Sequence, residues 1–101
     1  MAEISFLDEA IEEVVDAVSY YQLVAPPGTA QRLFAEMKMI AQRVLESPRR
    51  WPIEPGNGFR RWRLENFPYS WRYQVNDAGD VLFVAFVQAK RRPGYFKSRS
   101  R

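Results

Sequence analysis

Val81 to Val87 form an unbroken apolar run of seven residues, the longest in the chain. A bilayer span needs about 20 apolar residues, so this run does not cross a membrane. It is bounded by Gly79-Asp80 on one side and Lys90 on the other. Short, apolar at every position and bracketed by a turn signal and a charge, it reads as a strand buried on both faces, which belongs at the centre of a sheet. The rest of the chain must supply its neighbours and its cover.

The two segments before it have a period of two. Across Phe59 to Leu64, Arg60, Trp62 and Leu64 share one face and Arg61 and Arg63 the other; across Tyr69 to Asn76, Tyr69, Trp71, Tyr73 and Val75 oppose Ser70, Arg72 and Gln74. Such alternation predicts half-buried antiparallel strands. Asn76-Asp77-Ala78-Gly79-Asp80 supplies a hairpin turn. Upstream the period is helical. Apolar residues at 7, 10, 11, 14, 18 and 21 form one stripe, with Glu9, Glu12, Glu13 and Asp16 facing away as a solvated surface. Ser5 or Asp8 is the candidate N-cap. Pro26-Pro27-Gly28 ends this helix, Thr29 is placed to cap the next, and Leu33, Phe34, Met37, Ile40, Ala41, Val44 and Leu45 repeat the stripe up to Ser47-Pro48. Pro48 to Gly58 is a loop pinned by Trp51. With a short strand at Ile4 to Phe6, the order is β-α-α-β-β-β. The predicted fold is α+β, a single domain over residues 1–101, with a helical hairpin on one face of an antiparallel sheet and the other face wet.

Charge is unevenly distributed. Residues 1–50 hold five bases against eight acids, a net −3, and residues 51–101 ten against four, a net +6. The first 28 residues contain six acids and no base, whereas Lys90 to Arg101 contain six bases and no acid. A basic tail leaving a buried strand is a candidate binding surface. Its charges lie beyond the last strand, so removal of Lys97 to Arg101 is expected to change stability by no more than about 1 kcal/mol. The chain has no Cys and no His. Disulfides and thiolate metal sites are thereby excluded, and proton transfer would fall to Lys, Arg, Tyr or carboxylates. No metal, cofactor or membrane association is expected, and the acidic amino terminus is unlike a signal peptide, which points to the cytoplasm.

If the strands form a meander, Arg61, Arg63 and Arg72 converge with Arg91, Arg92 and Lys97 on the exposed side of the sheet. Tyr95 and Phe96 follow the Pro93-Gly94 turn and fold back among them, as stacking or capping rings. A phenol among so many cations is expected to have its anion favoured, which makes Tyr95 a candidate proton carrier.

Tyr20-Tyr21, Ser47-Pro48 with Arg50-Trp51-Pro52, Arg60-Arg61, Phe67-Pro68-Tyr69 leading to Tyr73-Gln74-Val75, and the ending Arg91-Arg92-Pro93-Gly94-Tyr95-Phe96 together resemble the RelE/ParE superfamily of type II toxins, in its ParE-like plasmid-stabilisation branch. The resemblance implies a growth-inhibiting cytoplasmic toxin neutralised by a cognate antitoxin. It also implies a target: DNA gyrase for ParE-like members, messenger RNA in the ribosome for RelE-like ones. The RNA-cleaving type relies on a basic strand, an arginine after the tyrosine opening the next strand, and a terminal Arg and Tyr. Arg61 and Arg63 match the first, and Arg91 or Arg92 with Tyr95 the last, but the middle position is Ser70 and Gln88 stands where a His is frequent. Arg72, two residues on, is the candidate substitute. A hydroxyl does not neutralise developing phosphorane charge as a guanidinium does.

The preferred expectation is therefore a non-catalytic toxin that binds its target through Arg61, Arg63, Arg91, Arg92, Tyr95, Phe96 and Lys97. One alternative is a ribosome-dependent endoribonuclease using Arg61, Arg63, Arg72, Arg92 and Tyr95, and another is a non-toxic binding domain of the same fold. Tyr20, Leu23 and Met39 lie off the main stripes and are the candidate antitoxin contacts.

Overall fold

The computed structural model describes residues 3–99. The elements are β1 (Ile4–Phe6), α1 (Asp8–Val24), α2 (Thr29–Glu46), β2 (Arg60–Arg63), β3 (Tyr69–Val75) and β4 (Val81–Gln88), in the expected order. The strands form one sheet ordered β1-β4-β3-β2, so β4 is internal, as its composition requires. The two hairpins β2-β3 and β3-β4 are antiparallel. β1, however, pairs with β4 in parallel, with Ile4 opposite Val81 and Phe6 opposite Phe83, so the sheet is mixed and not wholly antiparallel. β1 and β4 are separated in sequence by both helices and by β2 and β3, and a connection of that length permits parallel pairing.

Neither helix begins as expected. Ser5 pairs in β1 opposite Leu82, and α1 starts after Leu7 with no side-chain cap. α2 starts after Gly28, whose φ of 92° only glycine adopts freely, and Thr29 is already its first turn, accepting a bond from Arg32 Nη2.

The helix face of the sheet carries the larger core. Ala10, Ala17, Leu33, Met37, Ile40 and Val44 pack on Leu64, Tyr69, Trp71, Tyr73, Val81, Phe83 and Phe86. A bulge makes this possible. Arg72 pairs with Ala85 and Tyr73 with Phe83, so Val84 has no opposite residue. In strict alternation, positions 83 and 86 would face opposite ways; the extra residue turns both rings toward the helices.

The opposite face is not wet. Leu7, Phe59, Val84, Ala85, Val87 and Phe96 form a second core there, with Leu82 and Tyr95 packed against it. The basic tail is the cover, since Phe96 is only 2% exposed and its ring sits 5.6 Å from that of Phe59. Both faces of β4 are thus buried, one under helices and one under the chain's own ending. The expectation that the tail is dispensable for folding is revised accordingly. Arg99 is bound into the structure, while Ser100 and Arg101 lie outside the described residues.

Truncating a fully buried phenylalanine leaves a cavity the neighbours only partly fill. Phe96→Ala should lower stability by about 3–5 kcal/mol, measured by urea unfolding, whereas Lys97→Ala should stay within about 0.5 kcal/mol.

Candidate target-binding groove

On the tail-covered face, an open groove of about 630 Å³ runs between β2 and the tail. One wall is the 54–57 loop with Arg61 and Arg63; the other is Arg91, Pro93, Gly94 and Lys97; Ser70, Arg72, Val87 and Phe96 form the floor. The alternation of β2 places Arg61 and Arg63 here, since Trp62 between them is turned to the helix side and stacks on Trp51 at 3.6 Å. Among the described residues the ion pairs are Arg72–Glu54 and Arg99–Glu13. Arg61, Arg63, Arg91 and Lys97 therefore line the groove with no acid in ion-pair range among those residues. Glu65 stands exposed at its rim.

Arg72 is on the predicted face but is not one of the free cations. It is 7% exposed, with Nε and Nη2 donating to Glu54 Oε1 and Oε2 at 2.9 and 3.0 Å. Nη1 donates to Ser70 Oγ, and the guanidinium lies 5.2 Å from the centroid of the Phe96 ring. This bidentate fork uses the geometry that would otherwise grip a phosphate. Asn57 Nδ2 also donates to Glu54, at 2.7 Å. Burial alone would raise the Glu54 carboxyl, but the bonds from Arg72 and Asn57 and the charges of Arg72 and Arg61 hold it below its usual range.

Tyr95 is not in the groove. Its hydroxyl donates to Glu13 Oε2 at the outer edge of β4, beyond β1. β3 and β4 stand between this hydroxyl and the β2 arginines, a separation of at least about 10 Å. The expected preference for a phenolate is reversed. Burial, and then the hydrogen bond and negative charge of Glu13, push the Tyr95 phenol well above the ordinary tyrosine value, outweighing Arg91 and Arg99. Arg91 instead lies 4.3 Å from the Tyr95 ring centroid. Arg92 is exposed and lies outside the groove lining. The arrangement gathers Arg61, Arg63, Arg91, Lys97 and Phe96, leaves Arg92 outside, and turns the Tyr95 hydroxyl away from the β2 arginines while its ring stays against Arg91.

Glu13 has a structural part that the sequence pattern concealed. In a helix with acids at 9, 12, 13 and 16 it looks solvated, yet it accepts from Phe86 N–H at 3.1 Å, from Tyr95 and from Arg99 Nη1 at 2.7 Å. Arg99 also donates to the carbonyl of the bulged Val84 at 3.0 Å. Of the three candidate antitoxin contacts, Leu23 is 85% exposed, Tyr20 55% and Met39 40%. Tyr20 borders a depression with Asp16, Gln88 and Arg91, Met39 borders another with Phe67, and Leu23 borders neither, so they do not form one groove.

Among the described residues, no helix is long and apolar enough to cross a membrane, and no group of three His, Asp or Glu is placed to hold a metal ion.

Residues 4–93 match the family model described as the ParE toxin of type II toxin-antitoxin system, parDE. The fold is similar to that of the chromosomal ParDE toxin-antitoxin system from P. aeruginosa, with a TM-score of 0.77 at 13% identity over 89% of this chain and 98% of that one. It is similar also to the intact E. coli RelBE toxin-antitoxin complex, TM-score 0.61 at 21% identity over 90% and 100% of the two chains. The isolated E. coli RelE toxin gives 0.59 at 21% identity over 94% and 92%. No curated protein matches the sequence.

Because the Glu54 carboxyl is held low only in the folded chain, it contributes stability that is fully present above its ordinary value of 4.5 and is lost as pH falls through the folded value. Glu54→Gln should thus be less stable than the parent at pH 7, and the gap should narrow below about pH 4.5, in urea titrations at pH 7 and pH 3.

Proposed function

Since the chain belongs to the ParE toxin family of type II toxin–antitoxin systems, we propose that it arrests growth by binding and inhibiting DNA gyrase, without cleaving nucleic acid, and that a cognate antitoxin neutralises it. The observation that carries this reading is the placement of the two groups a nuclease mechanism would need. The Tyr95 hydroxyl is committed to Glu13 and Arg72 is committed to Glu54. A general acid or base must reach the reacting atom within hydrogen-bond distance, and a stabilising cation must be free to meet developing charge. What remains in the groove is free positive charge set apart from the Tyr95 hydroxyl, and that suits docking.

The target face is proposed to comprise Arg61, Arg63, Arg91 and Lys97 over the Phe96 floor, with Arg92 at its margin and Tyr95 as a ring that supports Arg91. The antitoxin is proposed to cover Tyr20, Leu23 and Met39, since apolar side chains this exposed favour burial under a partner. Antitoxins accompany the P. aeruginosa and E. coli proteins with the similar fold, which supports the same arrangement here.

Tyr95→Phe separates the mechanisms. It removes one hydrogen bond to a carboxylate, worth about 1.5–3 kcal/mol of stability, and keeps the ring. Induced expression should still arrest growth, with gyrase supercoiling inhibited at an unchanged dose and messenger RNA intact. Messenger cleavage by the parent, lost in Tyr95→Phe while the protein stays folded, would establish the RelE-type alternative, because a proton carrier is worth about 10² to 10⁴ in rate. A parent that neither arrests growth nor inhibits gyrase would leave the non-toxic binding domain.

A further inference from the structure

The sheet does not use all of the apolar surface that the helices carry. Ile11 and Phe34 belong to the helical stripes expected to face the core, yet they are 48% and 50% exposed, and Val15, one turn beyond Ile11, is 55% exposed. Val18 and Phe34 border an open depression of about 320 Å³ between α1 and α2, together with Ala30, Ala35 and Lys38. Ile11 and Val15 precede Val18 at helical spacing, on the same side of α1, and the half-buried Ala41 and Leu45 continue the row from Phe34 along α2. The hairpin thus carries a continuous apolar band. The helices and the tail cover opposite faces of the sheet, so this band lies on the far side of the molecule from the groove.

Charge along the band is divided between the helices. α1 contains five acids and no base, and Asp8 and Glu12 flank Ile11 and Val15 at helical spacing. On α2, Lys38 stands one turn from Phe34, with its Nζ 5.6 Å from the ring centroid. Among the described residues, neither Glu12 nor Lys38 is in ion-pair range of an opposite charge. Val15 and Lys38 are the same nine residues from the loop ends of their helices, Val24 and Thr29, and so lie at one level of the hairpin.

We infer that this band is the interface of a homodimer, in which two helical hairpins stack face to face as a four-helix bundle. The division of charge favours a second copy over other occupants. A two-fold axis parallel to the helices sets α1 of each copy on α2 of the other, antiparallel and at the same level, so that Glu12 meets Lys38 of the partner subunit and the reciprocal pair forms with it. An acidic segment laid on the band would oppose α1, and a basic one would oppose Lys38, whereas a second copy supplies both signs in register. Helices of 17 and 18 residues make the band about 26 Å long and, side by side, about 20 Å wide. That is on the order of 500 Å² per copy and on the order of 1,000 Å² in all, the lower limit for specific association, so the dimer is expected to be reversible. With the bands facing each other the two grooves point outward, and the dimer offers its target two of them. Tyr20 and Met39 border other depressions, so the proposed antitoxin cover stays accessible there.

The test is sedimentation velocity of the full-length chain from about 5 to about 200 µM, across which the parent should pass from monomer to dimer. Val15→Glu and Phe34→Glu, at half-exposed positions, should keep the fold by thermal melt and leave the chain monomeric throughout. Lys38→Glu and Glu12→Lys each place like charges across the axis and should each weaken self-association about tenfold. An equal mixture of these two variants should form a heterodimer at about the parent's affinity, because both cross pairs are then opposite in sign. A parent still monomeric at the highest concentration would overturn the inference and leave the band to the proposed antitoxin. Dimerisation unchanged by Phe34→Glu, or a mixture that associates no more tightly than either variant alone, would overturn it too, since association would then use another surface. Neither gyrase nor antitoxin is in the assay, so failure here leaves the gyrase reading standing.

Discussion

One carboxylate holds the ending of this chain to its beginning. Glu13 of α1 lies against the outer edge of β4, past the point where β1 stops pairing, and there accepts from the Phe86 amide, the Tyr95 hydroxyl and Arg99. An open strand edge with a bulge leaves backbone groups that a buried environment penalises if unpaired. Glu13 satisfies the exposed amide and Arg99 the exposed Val84 carbonyl. The two side chains neutralise each other at 2.7 Å, with 12% and 16% of their side-chain surface exposed. Removing either would leave a poorly solvated charge and an unpaired backbone group together.

The tail held in this way does more than finish the chain. Phe96 closes a second core over Val84, Ala85 and Val87, and the same ring lies over Arg72. Arg72 is thus drawn into the floor of the groove and neutralised by Glu54, while the cations on either wall stay free. The groove exists because the tail crosses the sheet and leaves a trench beside β2. Tail folding and the shape of the proposed target site are one event, which makes the acidic first helix and the basic last segment complementary parts of a single fold.

Much of the architecture was legible because it follows from period. Two helical stripes, two alternating strands and a doubly apolar run mark the elements, and Trp51 pins its loop to the core as its size in a Pro-rich segment implies. The family resemblance drawn from dispersed short motifs was likewise sound. Elsewhere the pattern was ambiguous for physical reasons. Glu13 is chemically identical to Glu12 beside it, and only a partner from the other end of the chain distinguishes them. The β2-β3 alternation placed Arg72 on the correct face, but whether that face meets solvent depended on where Tyr95 and Phe96 fold back, and a Pro-Gly turn permits several paths. The parallel pairing of β1 is a long-range outcome with no local signal. Ser5 offered a cap by its spacing, yet the ladder with Leu82 used its backbone first.

The most direct test of the Glu13 clasp is amide hydrogen exchange at Phe86. Its N–H points away from β3 and has the Glu13 carboxylate as its partner, whereas the amides of Ala85 and Val87 point the other way, into the β3 ladder. The account predicts that Phe86 is protected to nearly the same degree as its neighbours in the parent chain. In Glu13→Ala it should exchange far faster while Ala85 and Val87 remain protected. Equal protection of Phe86 in both proteins, or fast exchange in the parent, would contradict the claim that this one carboxylate seals the edge and holds the tail.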